Sequence, residues 1–325
     1  MHIRYYHPED DPALMALERL CPRGLPEPFV HYRRRFIDRA ALFSDHQLLV
    51  AEHEDRVVGV AAVCVKRTHI GDDPVSLGYV FDVRTDPEVR RQGIGWSLVA
   101  AIDGYLKARE VDGVYAHIVV SNVPSLKLFD KLGYERVRQV MLLVYQPFPA
   151  FDFPEYMPRH VNDIACDQDL VRAVHSGRDL YVPNVAKRVK DFGFERWSVD
   201  MGDAQFAGIS LFDQSYVFQQ WPAHLPFPSE EEMRERGEKS LRLFDEVGIH
   251  SPDMLRSLFD NLRDMAVTDN VSKLTLLLDR MDKVPQFMFS EAHNQMDYWM
   301  VFKSLREDWK PKWQDQPMYV DAREL

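Results

Sequence analysis

The segment Asp82-Val83-Arg84-Thr85-Asp86-Pro87-Glu88-Val89-Arg90-Arg91-Gln92-Gly93-Ile94-Gly95-Trp96 carries the residue types best suited to chemistry. A strand-like run ends, a charged loop follows, and Gly93 and Gly95 open an amphipathic stretch. That order suits anion binding. The first turn of a helix leaves about four N–H groups without partners and carries a partial positive charge. Glycines let a phosphate approach this backbone with no Cβ in the way. Arg90 and Arg91 add full charges beside it. The loop lacks the Gly-Lys-Ser/Thr ending of a P-loop, which argues against nucleoside triphosphate hydrolysis, and it lacks the first glycine of the G-x-G-x-x-G dinucleotide fingerprint.

The elements that must hold this loop follow from the hydrophobic pattern. Residues 47–51 and 56–65 read as strands joined by the polar turn Glu52-His53-Glu54-Asp55. Residues 77–83 form a third strand leading into the loop. From residue 97 to 109, Leu98, Ala101, Ile102, Tyr105 and Leu106 fall on one helical face. Residues 113–120 return to strand, and residues 124–132 form a short helix with Pro124 in its first turn and Gly133 as its stop. Residues 138–145 are again a strand. A hairpin followed by strand-helix alternation predicts an α/β fold, a mixed central sheet with helices on both faces.

The spacing Arg90-x-x-Gly93-x-Gly95 resembles the acyl-CoA pyrophosphate loop of the GNAT acetyltransferase superfamily. Asn122-Val123-Pro124-Ser125-Leu126-Lys127-Leu128-Phe129-Asp130-Lys131-Leu132-Gly133-Tyr134 is similar to that family's N-x-x-A-x-x-L-Y-x-K-x-G-F segment. The two matches lie in order, on strand, loop and helix, and carry the resemblance for residues 1–145. The resemblance implies that Val83 and Thr85 offer backbone groups to the pantetheine arm. It implies that the N–H groups of Gln92, Gly93, Ile94, Gly95 and Trp96 hold the pyrophosphate beside Arg90 and Arg91. Asn122, Ser125 and Phe129 would lie along the acyl-CoA arm, where two strands splay to admit the thioester. The implied reaction is direct transfer of an acetyl group from acetyl-CoA to an amine, with a backbone N–H near Val83 holding the oxyanion.

One departure concerns proton transfer. The family's frequent general acid is a tyrosine where this chain has Phe129, which cannot protonate a thiolate. Tyr134 is nearby but matches a core phenylalanine of the family. Among bases, Asp82 and Tyr79 lie on the strand entering the loop, and alternation puts them on opposite faces unless a bulge intervenes. A solvated or paired structural carboxylate is the favoured reading of Asp82. His117, inside an apolar strand, reads as a hydrogen-bonded core histidine, and Cys64 as a small buried hydrophobe. A non-catalytic acyl-CoA sensor or assembly module is the alternative to an N-acetyltransferase.

The 325 residues suggest two domains, and the proline-rich stretch from Gln146 to Pro158 divides them into 1–149 and 150–325. The second part is expected to be a degenerate GNAT-like copy. Residues 76–83 have an echo in residues 240–247, followed by a helical pattern and an apolar strand over 273–279. Where glycines would fall, it has Gly248-Ile249-His250-Ser251. The net charge of −11 belongs mainly to this part: residues 1–149 carry 19 Lys and Arg against 20 Asp and Glu, residues 150–325 carry 21 against 31. That balance argues against nucleic-acid binding and permits a cationic acceptor, a small molecule or a peptide amine. Mean hydropathy is −0.34 and no apolar run approaches membrane-spanning length. Cys21, Cys64 and Cys166 are too scattered for a disulfide framework, which points to a cytoplasmic setting. The histidines are too dispersed for a metal site, so acetyl-CoA is the expected co-substrate with no metal. Oligomeric state is not legible.

Overall fold

The computed structural model describes all residues except 25–26, 151–154, 162–167, 203–204, 248–251 and 325. The chain begins with β1 (His2–Tyr5), α1 (Asp11–Arg19) and β2 (Phe29–Tyr32). A 3-10 turn, Phe36–Leu42, then leads to the hairpin of β3 (His46–His53) and β4 (Arg56–Ile70). Its turn is the pair Glu54-Asp55, both at positive φ (51° and 57°), the geometry that matches the twist of paired strands. Next come β5 (Asp73–Thr85), α2 (Ile94–Ala108), β6 (Gly113–Val119), α3 (Val123–Lys131) and β7 (Glu135–Tyr145).

The second part repeats much of this order. It contains β8 (Arg159–His160), α4 (Gln168–His175), α5 (Val185–Val189), β9 (Glu195–Gly202), β10 (Gln205–Asp213) and β11 (Gln219–Pro222). There follow α6 (Glu230–Arg236), β12 (Ser240–Val247), α7 (Pro252–Thr268), β13 (Lys273–Asp279), α8 (Gln286–Ser290) and β14 (Asn294–Ser304). The acids that begin α6 sit behind a full capping box, in which the Ser229 hydroxyl accepts from Glu232 N.

Twelve strands form one sheet in the order β1-β3-β4-β5-β6-β14-β7-β13-β12-β10-β9-β8. Read inward from either edge, the pattern is the same, which makes the chain pseudo-two-fold. The parallel pair β5–β6, from Leu77 opposite Gly113 to Tyr79 opposite Tyr115, has its counterpart in β12–β13, from Ser240 opposite Lys273 to Leu243 opposite Leu276. Past those points each pair separates. Both entering strands bulge at an aspartate in the left-handed region, Asp82 (φ 49°) and Asp245 (φ 48°). The repeat is therefore in register at Phe81-Asp82 with Phe244-Asp245, one position away from the match of Ser76 with Ser240 suggested by the sequence.

The middle of the sheet is exchanged. β14, from the end of the chain, lies between β6 and β7 and pairs antiparallel with both, while β7 pairs with β13. β11 of the second part pairs with β2 of the first. One face of the first part packs α2 and α3 through Leu98, Ile102, Leu106 and Phe129. The other carries α1, the 3-10 turn and residues 305–324, with Leu14, Phe36 and Met318 in its core. Each fully buried side chain of this size contributes about 1.5–3 kcal/mol. Trp309 and Trp313 pack edge-on against Phe302, 6.0 and 5.3 Å between ring centres, so their aromatic mass serves packing. Phe148 of the proline-rich stretch lies under Arg263, and its N–H donates to the Arg263 carbonyl.

Candidate active site

α2 starts at Gly93, whose φ of 84° only glycine adopts without strain, and no side chain caps its first turn. A Cβ at Gly93 would meet nothing within 4 Å, while one at Gly95 would stand 3.4 Å from Leu128 Cδ2 and 3.5 Å from Thr85 Oγ1. The helix N-terminus thus opens to solvent with its N–H groups uncovered, a geometry that fits a pyrophosphate. Arg90, Arg91 and Gln92 are exposed around it, Trp96 is half exposed, and Ile94 anchors the turn in the core. The Thr85 carbonyl accepts from Arg90 Nε (3.3 Å) and Cys21 Sγ (3.5 Å). Val83 is half buried. Asn122 caps α3 by accepting from Ser125 N (3.3 Å), which commits its carbonyl oxygen. Phe129 is buried on the helix side, its ring 4.8 Å from that of Tyr134.

The bulge answers the facing question. It brings Tyr79, Phe81 and Asp82 to the same face of β5, the face that carries α1. Asp82 is nonetheless poorly placed to take a proton. Its Oδ2 accepts from Arg33 Nη1 (2.7 Å) and its Oδ1 from Arg39 Nη1 (2.9 Å), with Arg23 at 3.3 Å. Burial alone would raise its pKa, but Arg33, Arg39 and Arg84 outweigh that and hold it well below the usual carboxylate range. A carboxylate so stabilised is a charge anchor. Tyr79 is buried and stacked on Phe81 with ring centres 5.3 Å apart. Tyr134 donates to Asp103 Oδ1 (2.7 Å) on the α2 side, and burial together with Asp103 pushes its phenol well above the ordinary value. That tyrosine keeps its proton and faces away from the separated strands.

A pair that the strand pattern does not disclose stands where the strands part. His117 lies two residues beyond the last residue of β6 that pairs with β5, on the Tyr79 face, its ring 5.7 Å from Tyr79. Its Nε2 is 2.7 Å from Glu324 Oε2, and its buried Nδ1 has no hydrogen-bond partner. Glu324 also accepts from Tyr115 OH (2.5 Å) and is paired with Lys66. Burial would raise the Glu324 carboxyl, but Lys66 and His117 hold it low. With Glu324 requiring the proton on Nε2, Nδ1 carries the lone pair. His117 is thus hydrogen-bonded and buried, as a core histidine would be, yet its partner is a carboxylate from the far end of the chain. Cys64 is fully buried and burial pushes its thiol up, which makes it inert. Among the described residues no cluster of three or more metal-ligating side chains occurs, and no helix is long and apolar enough to cross a membrane.

Residues 12–134 match the model of the acetyltransferase (GNAT) family. Among curated proteins, the chain is 27% identical over 109 residues to a mycothiol acetyltransferase of Acidimicrobium ferrooxidans, 34% of each chain. It is 29% identical over 139 residues to N-alpha-acetyltransferase 30 of Xenopus laevis, 42% of this chain and 48% of that one. The match thus spans about a third to a half of those relatives. Likeness to solved structures extends over nearly the whole chain. A putative acetyltransferase from Pyrococcus horikoshii aligns with TM-score 0.60 at 13% identity, covering 99% of this chain and 95% of that one. A tandem GNAT protein from the clavulanic acid biosynthesis pathway aligns with TM-score 0.59 at 14% identity, covering 94% and 99%. Residues 12–134 are therefore similar to acetyltransferases of the GNAT family, and the chain as a whole has the fold of a tandem GNAT protein.

Proposed function

We propose that this chain is an N-acetyltransferase that moves an acetyl group from acetyl-CoA to a primary amine of a small molecule or peptide by direct attack. The observation that carries the reading is the uncapped, glycine-opened N-terminus of α2 beside strands that part at Tyr79 and Tyr115. The N–H groups of Gln92 to Trp96 hold the pyrophosphate, with Arg90 and Arg91 beside it. Val83 and Thr85 line the arm. Acetyl-CoA supplies the thioester, whose thiolate is a fairly good leaving group. His117 Nδ1 takes the proton of the attacking amine, and Glu324 keeps the imidazole in the required tautomer and stabilises it once protonated. With Phe129 in place of the usual tyrosine, water protonates the thiolate.

The test measures acetyl-CoA binding and thiol release on a panel of amines. Gly93→Val with Gly95→Val is expected to weaken acetyl-CoA binding at least about 100-fold by blocking backbone approach. Unchanged affinity would remove the loop assignment. Tight binding in the unaltered protein with no release on any amine would favour the sensor reading instead.

A further inference from the structure

On the face shared by Tyr79 and His117, the buried charges do not balance. Arg33, Arg39, Arg84 and Arg242 are each at most 7% exposed, and Arg23 joins them from the rim with about a third of its side chain in solvent. Among the described residues, two carboxylates answer these five cations. Asp82 takes Arg33 and Arg39, and Glu18 accepts from Arg84 Nη2 (2.6 Å) and lies 2.9 Å from Arg33 Nε. His31, 3.7 Å from Glu18, adds no relief, since burial and the surrounding arginines keep it neutral. The neighbouring group shows the contrast: Lys66 and Arg323 are matched by Asp321 and Glu324.

Arg242 is the clearest surplus. It projects from β12 and is 2% exposed, yet its Nε has no partner and its Nη1 reaches the Glu324 carbonyl only at 3.5 Å. Arg84 Nε is likewise buried without a partner. Burial pushes Arg242 down to about 10, which leaves it charged at neutral pH. A buried cation without an anion costs several kcal/mol, so a fold that keeps an excess of them is incomplete without a negative group. The guanidinium fork fits carboxylate and phosphate alike. Tyr298 of β14, opposite Val119 of β6, sits in the field of Arg23, Arg242 and Arg39, so the excess lies beside the strand that carries His117.

We propose that the acceptor amine carries a carboxylate or phosphate, which docks on Arg242 and the nearby Arg39 while the amine points to His117. The inference rests on the transferase reading above and sets the substrate class. It is opposite in sign to the cationic acceptor suggested by the charge of residues 150–325.

The test uses the full chain and matched acceptors at saturating acetyl-CoA: glycine against glycinamide, and O-phosphoethanolamine against ethanolamine. The anionic member of at least one pair is expected to show a kcat/KM at least about 10-fold higher. Which pair responds separates carboxylate from phosphate. Arg242→Met should raise KM for the anionic member about 10-fold or more, leave the neutral member and acetyl-CoA affinity unchanged, and hold or raise the thermal midpoint. Arg242→Lys, which keeps the charge and loses the fork, should fall between. Preference for the neutral members would overturn the proposal. So would an Arg242→Met protein with a lowered midpoint and equal losses on both members, or one whose loss is in acetyl-CoA affinity. If no amine releases thiol although acetyl-CoA binds, the transferase reading fails. The anion site is then judged separately, by whether glycine or O-phosphoethanolamine raises the midpoint of the unaltered protein and not of Arg242→Met; absence of that shift overturns it.

Discussion

The two bulged strand pairs share a backbone and differ in sign. Around Asp82 the loop through residues 23–39 delivers arginines, and the carboxyl is held low. Around Asp245 there is a recess lined by His175, Arg178, Glu246, Asp282 and Tyr319, where acids outnumber cations. Its own chain enters it: Tyr319 OH donates to Asp245 Oδ1 (2.8 Å), and Arg178 Nη1 lies 2.7 Å from Asp282 Oδ1. Burial, aided by Asp282, pushes Glu246 up to about 7, and burial pushes Asp282 up to about 6. The strand geometry makes a slot twice. What packs over each slot decides the sign of its charge.

The largest effect should come from cutting each aspartate in turn. Asp82→Asn strands guanidiniums and should cost about 3–5 kcal/mol of unfolding free energy. Asp245→Asn removes the charge that the Tyr319 hydroxyl donates to and should cost less, about 1.5–3 kcal/mol. Equal costs in chemical denaturation would break the distinction between the two slots. Next, His117→Asn should lower kcat about 100-fold with acetyl-CoA affinity unchanged. His175→Asn, on α4 beside the second recess, should leave the rate within about twofold, because burial already holds that imidazole neutral with a pKa down to about 3. A loss on the second histidine alone would move the active slot to the other half.

The last effect is a pH slope. The Glu246 pKa is about 7 in the fold against an ordinary glutamate value of 4.5, so between those values the native state holds a proton that the unfolded chain releases. Stability therefore falls as pH rises through that window. Glu246→Gln should stabilise the protein by on the order of 2–3 kcal/mol at pH 8 and have no effect below about pH 4.5, as read from denaturation midpoints. A flat difference across pH would show that the recess does not penalise the charge.

Much of the first half was legible because its signals are local. Gly93, Gly95 and Asn122 mark helix starts by their own backbone needs, and the pattern from Leu98 to Leu106 found α2 within a few residues. Tyr134 and Phe129 misled as neighbours of the chemistry, because proximity in sequence to Asn122 does not say on which side of the sheet a side chain falls. The arginines at 23, 33 and 39 come from irregular chain with no period to read. His117 with Glu324 joins residues from the two ends of the fold, and only tertiary structure shows that the second copy's last strand lies beside the first copy's β6. The expected glycine counterpart at 248–251 lies outside the described residues.

The exchanged central strands have a consequence during synthesis. When β6 and β7 have left the ribosome, the strand that belongs between them has not been made. At roughly 5–20 residues per second, β14 follows β7 after roughly 8–30 s. Through that interval the nascent first half presents two unpaired apolar edges, Val114 to Ile118 and Val140 to Leu143. The pairing of His117 with Glu324 thus waits on the last part of the chain, and folding of the first half is timed by translation of the second.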